Sequence, residues 1–371
     1  TGSTRFPPSR AGTHEETIRL ADPLNPMGTD GFEFIEFVAP EPASLEALFT
    51  QLGFVRTGLH RTKRVALWQQ GDIHFIVNAE PASFGADFAR LHGPSVCAFA
   101  FRVGNAADAY RRALELGAEG VPHRAGPMEL NLPAIRGIGG ACLYLVERFG
   151  EHSLYNVDFR LTPADTRGCG LTGIDHLTHN VERGHMDDWA GFYQQLFNFR
   201  EIRYFDIEGK LTGLRSRAMT SPCGKIRIPI NESADDRSQI EEYLRAYHGE
   251  GVQHIALGCD DIYATVEALR ARGVRFLDTP DSYYDGVDAR LPGHGEDLAR
   301  LRRDRLLMDG RPGGGRVLQL FTDTVIGPIF FEIIQRKGDE GFGEGNFRAL
   351  FEAIERDQVA RGVLSDTEAP Q

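Results

Sequence analysis

Apolar positions along this chain alternate between two periods. Phe32-Glu33-Phe34-Ile35-Glu36-Phe37 reads as an extended run, and Ala43 to Leu52 then groups Leu45, Leu48 and Phe49 on one helical face. Val65–Trp68 and Ile73–Val77 predict short strands. Val96–Val103 predicts another strand, and Ala106–Leu116 a helix closed by Gly117. Leu143–Glu147 is the last apolar run of this half. The second half repeats the plan: an extended run holds His176, Trp189–Phe197 is helical, and extended runs follow at 202–205, 213–219 and 225–230. His254 lies in the next strand. A helix over Ile262–Ala271 closes at Gly273, and Val317–Phe321 and Ile329–Ile334 are strands. The pattern predicts an α+β protein of four βαβββ modules, paired into two half-open barrel domains. The expected boundaries are a loose, partly disordered leader at 1–28, a metal-free domain at 29–160, a linker at 161–169 and a catalytic domain at 170–371. Pro163 and Gly168 punctuate the linker.

Two strings inside this pattern carry chemistry. Gly173-Ile174-Asp175-His176-Leu177 and Gly251-Val252-Gln253-His254-Ile255 each set one histidine in an apolar strand after a glycine. A third run, Ile329-Phe330-Phe331-Glu332-Ile333-Ile334, sets a lone carboxylate in a similar place. Strand alternation puts Ile174, His176, Thr178 and Asn180 on one face and Asp175, Leu177 and His179 on the other. Val252, His254 and Ala256 likewise share a face. In the first half, Phe34 and Ala98 fall where His176 and His254 fall, so any metal site belongs to the second half. A buried unpaired carboxylate costs several kcal/mol, and a divalent cation compensates that cost. Two histidines and a carboxylate on three strands match the facial triad of non-haem Fe(II), which leaves coordination positions open. Zinc accepts the same donors. A core histidine held by hydrogen bonds, or an arginine facing Glu332, is the plainer alternative.

Composition narrows the class. The chain has 371 residues, 41% hydrophobic and 25% charged, enough for about two domains with real cores. Its net charge is −12 and it has no basic stripe, which argues against nucleic acid or an anionic membrane surface as partner. No apolar run approaches the ~18 residues of a membrane span. Thr1 to Pro8 lacks the apolar core of a secretory signal. The five cysteines are scattered with no Cys-x-x-Cys pair, which points to reduced thiols and a cytoplasmic protein.

The ligand strings, with Leu318-Gln319-Leu320-Phe321-Thr322, Phe331-Glu332-Ile333-Ile334-Gln335-Arg336, Gly341-Phe342-Gly343-Glu344-Gly345-Asn346-Phe347 and Pro229-Ile230-Asn231-Glu232, resemble the vicinal-oxygen-chelate superfamily. Within it, the resemblance to the 4-hydroxyphenylpyruvate dioxygenases covers nearly the whole chain. It implies Fe(II) held by His176, His254 and Glu332, which would carry catalysis through the iron. It implies 4-hydroxyphenylpyruvate and O₂ as substrates, homogentisate and CO₂ as products, and a homo-oligomer, dimer or tetramer. Carried over by position, Ser216, Asn231 and Gln239 surround the phenol end of the substrate. Gln253 and Gln319 lie near the iron, and Phe321, Phe330, Phe342 and Phe347 wall the ring. The hydroxymandelate synthases are relatives with the same substrate and iron. The ring-hydroxylating family carries a phenylalanine at the position of Phe347 and a proline at that of Pro229, and this chain keeps both. Extradiol dioxygenases, glyoxalases and metal-free binding modules of the same fold are the more distant readings. Phe347, Leu350, Phe351 and Ile354 predict an amphipathic helix, capped by Asn346 and approached through glycines 341, 343 and 345. Such a helix can serve as a lid.

Overall fold

The computed structural model describes residues 22–122, 129–208 and 213–343, with Asn346, Gln358, Val359 and Gly362. Most of the expected leader, and the expected lid helix with Phe347, lie outside the described residues.

Two eight-stranded sheets organise the chain. The first contains β1 (Phe32–Val38), β2 (Val55–His60), β3 (Val65–Gln70), β4 (Ile73–Asn78), β5 (Ser95–Arg102), β6 (Ala134–Arg136), β7 (Cys142–Val146) and β8 (Phe159–Leu161). Their order is β6-β7-β5-β1-β4-β3-β2-β8. The second contains β9 (Leu171–Val181), β10 (Arg200–Glu208), β11 (Gly213–Thr220), β12 (Arg227–Ser233), β13 (Gly251–Cys259), β14 (Leu307–Gly310), β15 (Arg316–Phe321) and β16 (Phe330–Lys337). Their order is β10-β11-β12-β9-β13-β16-β15-β14. In each sheet the opening strands of two modules pair antiparallel at the centre, β1 with β5 and β9 with β13. The architecture is that of two half-open barrels.

Local signals set the helix ends. Asn105 accepts from the Asp108 amide, and Asp261 from those of Tyr263 and Ala264, so both cap their helices as short polar side chains do. Gly117 and Gly273 end those helices at φ of +92° and +84°, where a Cβ is strained. Periodicity missed β2, β6, β8 and β14, and also the helices Phe84–His92, Leu154–Asp158 and the short ones between Asp281 and Asp304. In β2, Gly58 and two polar residues break the alternation. In the second module, a Gly120–Ile135 bridge stands where a further strand would lie among the described residues.

The faces opposite the pockets pack together across the two halves. Phe75 stacks on Phe331 at 6.0 Å, and Phe101 meets Phe197 edge-on at 5.2 Å and stacks on Phe199 at 6.0 Å. The segment between β8 and β9 is pinned by the buried Gln70, whose Nε2 donates to Leu52 O and whose Oε1 accepts the Cys169 amide. The first sheet carries none of the three donors at the matching positions. Its register places Phe34, Ala98 and Tyr144 where the second sheet has His176, His254 and Glu332. The Phe34 and Tyr144 rings lie 5.6 Å apart there.

Candidate functional site

His176 lies on β9, His254 on β13 and Glu332 on β16, three neighbouring strands. Ala256 is paired with His176 on one side and with Glu332 on the other. His254 is two residues back along β13, on the same face. Three donor side chains therefore surround a residue with a single methyl, which leaves room between them. All three are buried, and each offers a donor atom within 4.8 Å of the others. Glu332 Oε2 is 3.2 Å from His176 Nε2 and 3.4 Å from His254 Nε2. Thr178 Oγ1 also faces His254 Nε2, at 2.9 Å.

The outer nitrogens are occupied, so each histidine turns Nε2 inward. His176 Nδ1 faces Asp175 Oδ1 at 2.8 Å, and His254 Nδ1 faces Gln253 Oε1 at 2.9 Å. Metal-binding histidines usually have such partners, which fix the tautomer and the ring plane. Both partners sit in β-bulges. The β9–β13 register skips Asp175 between Ile174 and His176, and skips Gln253 between Val252 and His254. A bulge re-aims a side chain, so Asp175 reaches the ring of His176. This corrects the strict alternation expected from sequence. Val252 and Ile174 join the hydrophobic core instead of sharing the histidine face. Glu332 has its own orienter: Gln319 Nε2 donates to Glu332 Oε1 at 2.8 Å.

Burial would raise the Glu332 carboxyl, but the imidazoles of His176 and His254 beside it pull it down to about 2. Burial pushes His254 down. For His176 burial acts the same way, yet the two carboxylates around it, Glu332 and Asp175, raise it. Asp175 is held well below the usual carboxylate range: burial opposes this, but the Arg336 guanidinium outweighs it. The cluster thus keeps an ionised carboxylate between two imidazoles away from the surface, a donor set that fits a divalent transition metal.

The other expected residues divide into three groups. Phe330 stacks on His254 at 4.8 Å, Phe342 meets His176 edge-on at 5.3 Å, and Phe321 lies 6.5 Å from His254. Ser216 on β11 pairs with Asn231 on β12, and Asn231 with Asn180 on β9, all on the face that carries His176. Gln239 is half-buried at the start of its helix and lines a cavity of about 630 Å³ with Gln253, Tyr243, Leu277 and Phe330. Asn346 departs from its expected capping role. It is helical itself; its Nδ2 donates to Gln319 Oε1 at 2.7 Å and its Oδ1 accepts from the Tyr283 hydroxyl at 2.9 Å. Sequence reading missed Asn180, Asp175 and Arg336 as site residues. For Asn180 the signal was present in its shared face with His176. Asn231 Nδ2 lies 3.4 Å from Asn180 Oδ1, which leaves Asn180 Nδ2 and Asn231 Oδ1 buried without partners among the described residues.

Paired βαβββ modules curled around such a cluster define a vicinal-oxygen-chelate protein. Residues 24–160 match the family described as hydroxyphenylpyruvate dioxygenase, N-terminal, and residues 173–289 match the glyoxalase/bleomycin resistance protein/dioxygenase superfamily. A 4-hydroxyphenylpyruvate dioxygenase of Pseudomonas aeruginosa is 62% identical over 347 residues, 92% of this chain and 97% of that one. Hemolysin VllY of Vibrio vulnificus is 60% identical over 359 residues, 94% of this chain and all of that one. Among solved structures, a mutant 4-hydroxymandelate synthase from Streptomyces coelicolor superposes with a TM-score of 0.78 at 28% identity, over 90% of this chain and 100% of that one. The chain belongs to the 4-hydroxyphenylpyruvate dioxygenase family.

Proposed function

We propose that this protein is an Fe(II)-dependent dioxygenase that converts 4-hydroxyphenylpyruvate and O₂ to homogentisate and CO₂. The observation that carries the reading is the buried His176–His254–Glu332 cluster, with Nε2, Nε2 and Oε2 facing one another. Two imidazoles and a carboxylate on one side of an ion suit Fe(II) and leave the far side open. The iron would supply binding of the 2-oxo acid and activation of O₂.

The chain's own residues do the rest. Phe321, Phe330 and Phe342 keep water from the reacting centre. Among the described residues, Asn180 Nδ2 and Asn231 Oδ1 are one unpaired donor and one unpaired acceptor. A phenol hydroxyl can accept from the first and donate to the second, and exchanging both amides end for end leaves that complement unchanged. Gln319 holds Glu332 through a neutral amide, which orients the carboxylate without competing for the cation. The cavity of about 630 Å³, which none of the three donors lines, adjoins His254 through Gln253 and Phe330 and is within the range of small-molecule sites. Five free cysteines fit a reducing, cytoplasmic setting. The described residues contain no helix long and apolar enough to cross a membrane. Assembly as a dimer or tetramer is part of the same reading.

The test is metal analysis of protein purified without oxygen, followed by O₂ uptake and product identification with 4-hydroxyphenylpyruvate. Iron, stoichiometric O₂ uptake and homogentisate are expected. Formation of 4-hydroxymandelate would replace the reading with that of the synthase, and zinc without O₂ uptake would end it.

A further inference from the structure

The two histidines of the cluster are oriented differently. His254 faces a neutral amide, whereas His176 faces a carboxylate that is itself tied into a larger ionic group. Asp175 takes a fork from Arg336, Nε to Oδ2 at 2.7 Å and Nη2 to Oδ1 at 2.8 Å. Arg227 adds a longer contact at 3.6 Å. A buried carboxylate with two arginines beside it keeps its charge and its position.

The same arginines hold the chain that follows β16. The remaining arm of Arg336, Nη1, donates to the carbonyls of Asp339, at 3.2 Å, and Gly341. Arg227 pairs with the Glu340 carboxylate. The segment they hold ends at Phe342. Its ring lies edge-on to His176, its carbonyl accepts from Gln319 at 3.2 Å, and Gln319 in turn orients Glu332. Segment 339–342 thus touches the supports of two of the three donors.

We propose that Asp175 and Arg336 are positioning residues that couple the aim of His176 to the seating of segment 339–342. Metal binding and docking of this segment then favour each other, because any such coupling acts equally in both directions. The inference rests on the metal-centre reading above. An ion pair serving only to hold β9 to β16 would stabilise the fold and leave metal affinity unchanged.

The experiment titrates Fe(II), with Zn(II) as a second probe, into the metal-stripped full chain without oxygen. It also follows hydrogen exchange of the 339–343 amides with and without metal. Asp175→Asn keeps the shape and removes the charge; Arg336→Gln removes the fork; Arg336→Lys keeps the charge alone. Metal affinity should fall about 10–100-fold in the first two and by less in the third, the range seen when outer partners of metal ligands are lost. Metal should slow exchange at 339–343 in the unaltered chain but not in Arg336→Gln. Unchanged affinity in a folded Arg336→Gln would overturn the coupling, as would exchange at 339–343 that ignores metal in the unaltered chain. If Arg336→Gln does not fold, Arg336→Lys and the exchange of the unaltered chain decide. An unaltered chain that binds neither ion fails the metal reading itself, a result distinct from tight binding without coupling.

Discussion

At the scale of single residues, what surrounds a group decides its role. Ala256 owes its place to the room it leaves between His176 and Glu332, its paired neighbours. Ala256→Leu adds a branched side chain where the donors converge. It should cost about 1–3 kcal/mol of stability through overpacking and lower Fe(II) content severalfold. Ala100→Leu, at the corresponding position of the first sheet, should cost similar stability and leave metal content unchanged. Equal metal content in the two variants would refute this. His179 shows the opposite use of burial. Fully buried beside the Tyr193 hydroxyl at 2.7 Å, it is pushed down to about 3, and burial pushes His74 down to about 4. Both folded values lie below the ~6.5 of a free imidazole. The unfolded chain therefore takes up these protons first, and stability is lost as pH falls from about 6.5 toward those values. At about pH 5 each group costs on the order of 2 kcal/mol. In the metal-free protein, His179→Gln should remove about that much of the stability lost between about pH 7 and 5, measured by denaturant unfolding. The same acid sensitivity in both proteins would rule His179 out as a source.

At the scale of elements, the donors were legible because histidine and glutamate are conspicuous in apolar strands. Of their orienters, Gln253 and Gln319 were already named by resemblance, but Asp175 was not. Period-two alternation sent Asp175 and His176 to opposite faces, and only the bulge in the β9–β13 ladder brings them together. Nothing in a single sequence announces a bulge, since it is a property of two strands in register. The glycines before the histidines were also only half legible. They read alike, yet a Cβ at Gly173 meets nothing within 4 Å, whereas at Gly251 it would lie 2.3 Å from a Tyr247 ring carbon and 2.8 Å from the Tyr243 hydroxyl. Those two rings are buried and stacked at 5.1 Å, so neither can easily yield. Gly251→Ala must therefore displace the start of β13, two residues before the Gln253 that faces His254. We expect a loss of about 1–3 kcal/mol, as for overpacking, together with weaker Fe(II) binding. Gly173→Ala should change both little. Thermal melts and metal titrations on the pair check this, and equal behaviour would refute the steric distinction.

At the scale of the whole molecule, the repeat was readable from sequence while the union of its halves was not. Phe34 and Ala98 announced that the first sheet lacks the donors. Tyr144, which stands in the place of Glu332, emerged only from register. The contact between halves is a matter of which apolar faces meet, and each face alone reads as ordinary core. One hydrophobic cluster runs through both sheets, from Phe37 and Phe101 to Leu257 and Ile333. Phe101 lies in it without exposure, on β5 of the first sheet, against Phe197 and Phe199 of the second half. Phe101→Ala should cost about 3–5 kcal/mol, the usual range for removing a buried ring. The informative result is where that cost appears. If the halves were independent, the first would melt early and the second, with its bound Fe(II), would keep its transition. A shared core instead predicts one transition, moved down as a whole, with iron released at the same lowered temperature. Calorimetry alongside metal release distinguishes the two cases. A split melt in which iron stays bound through the first step would mean that the first half does not support the site through this core.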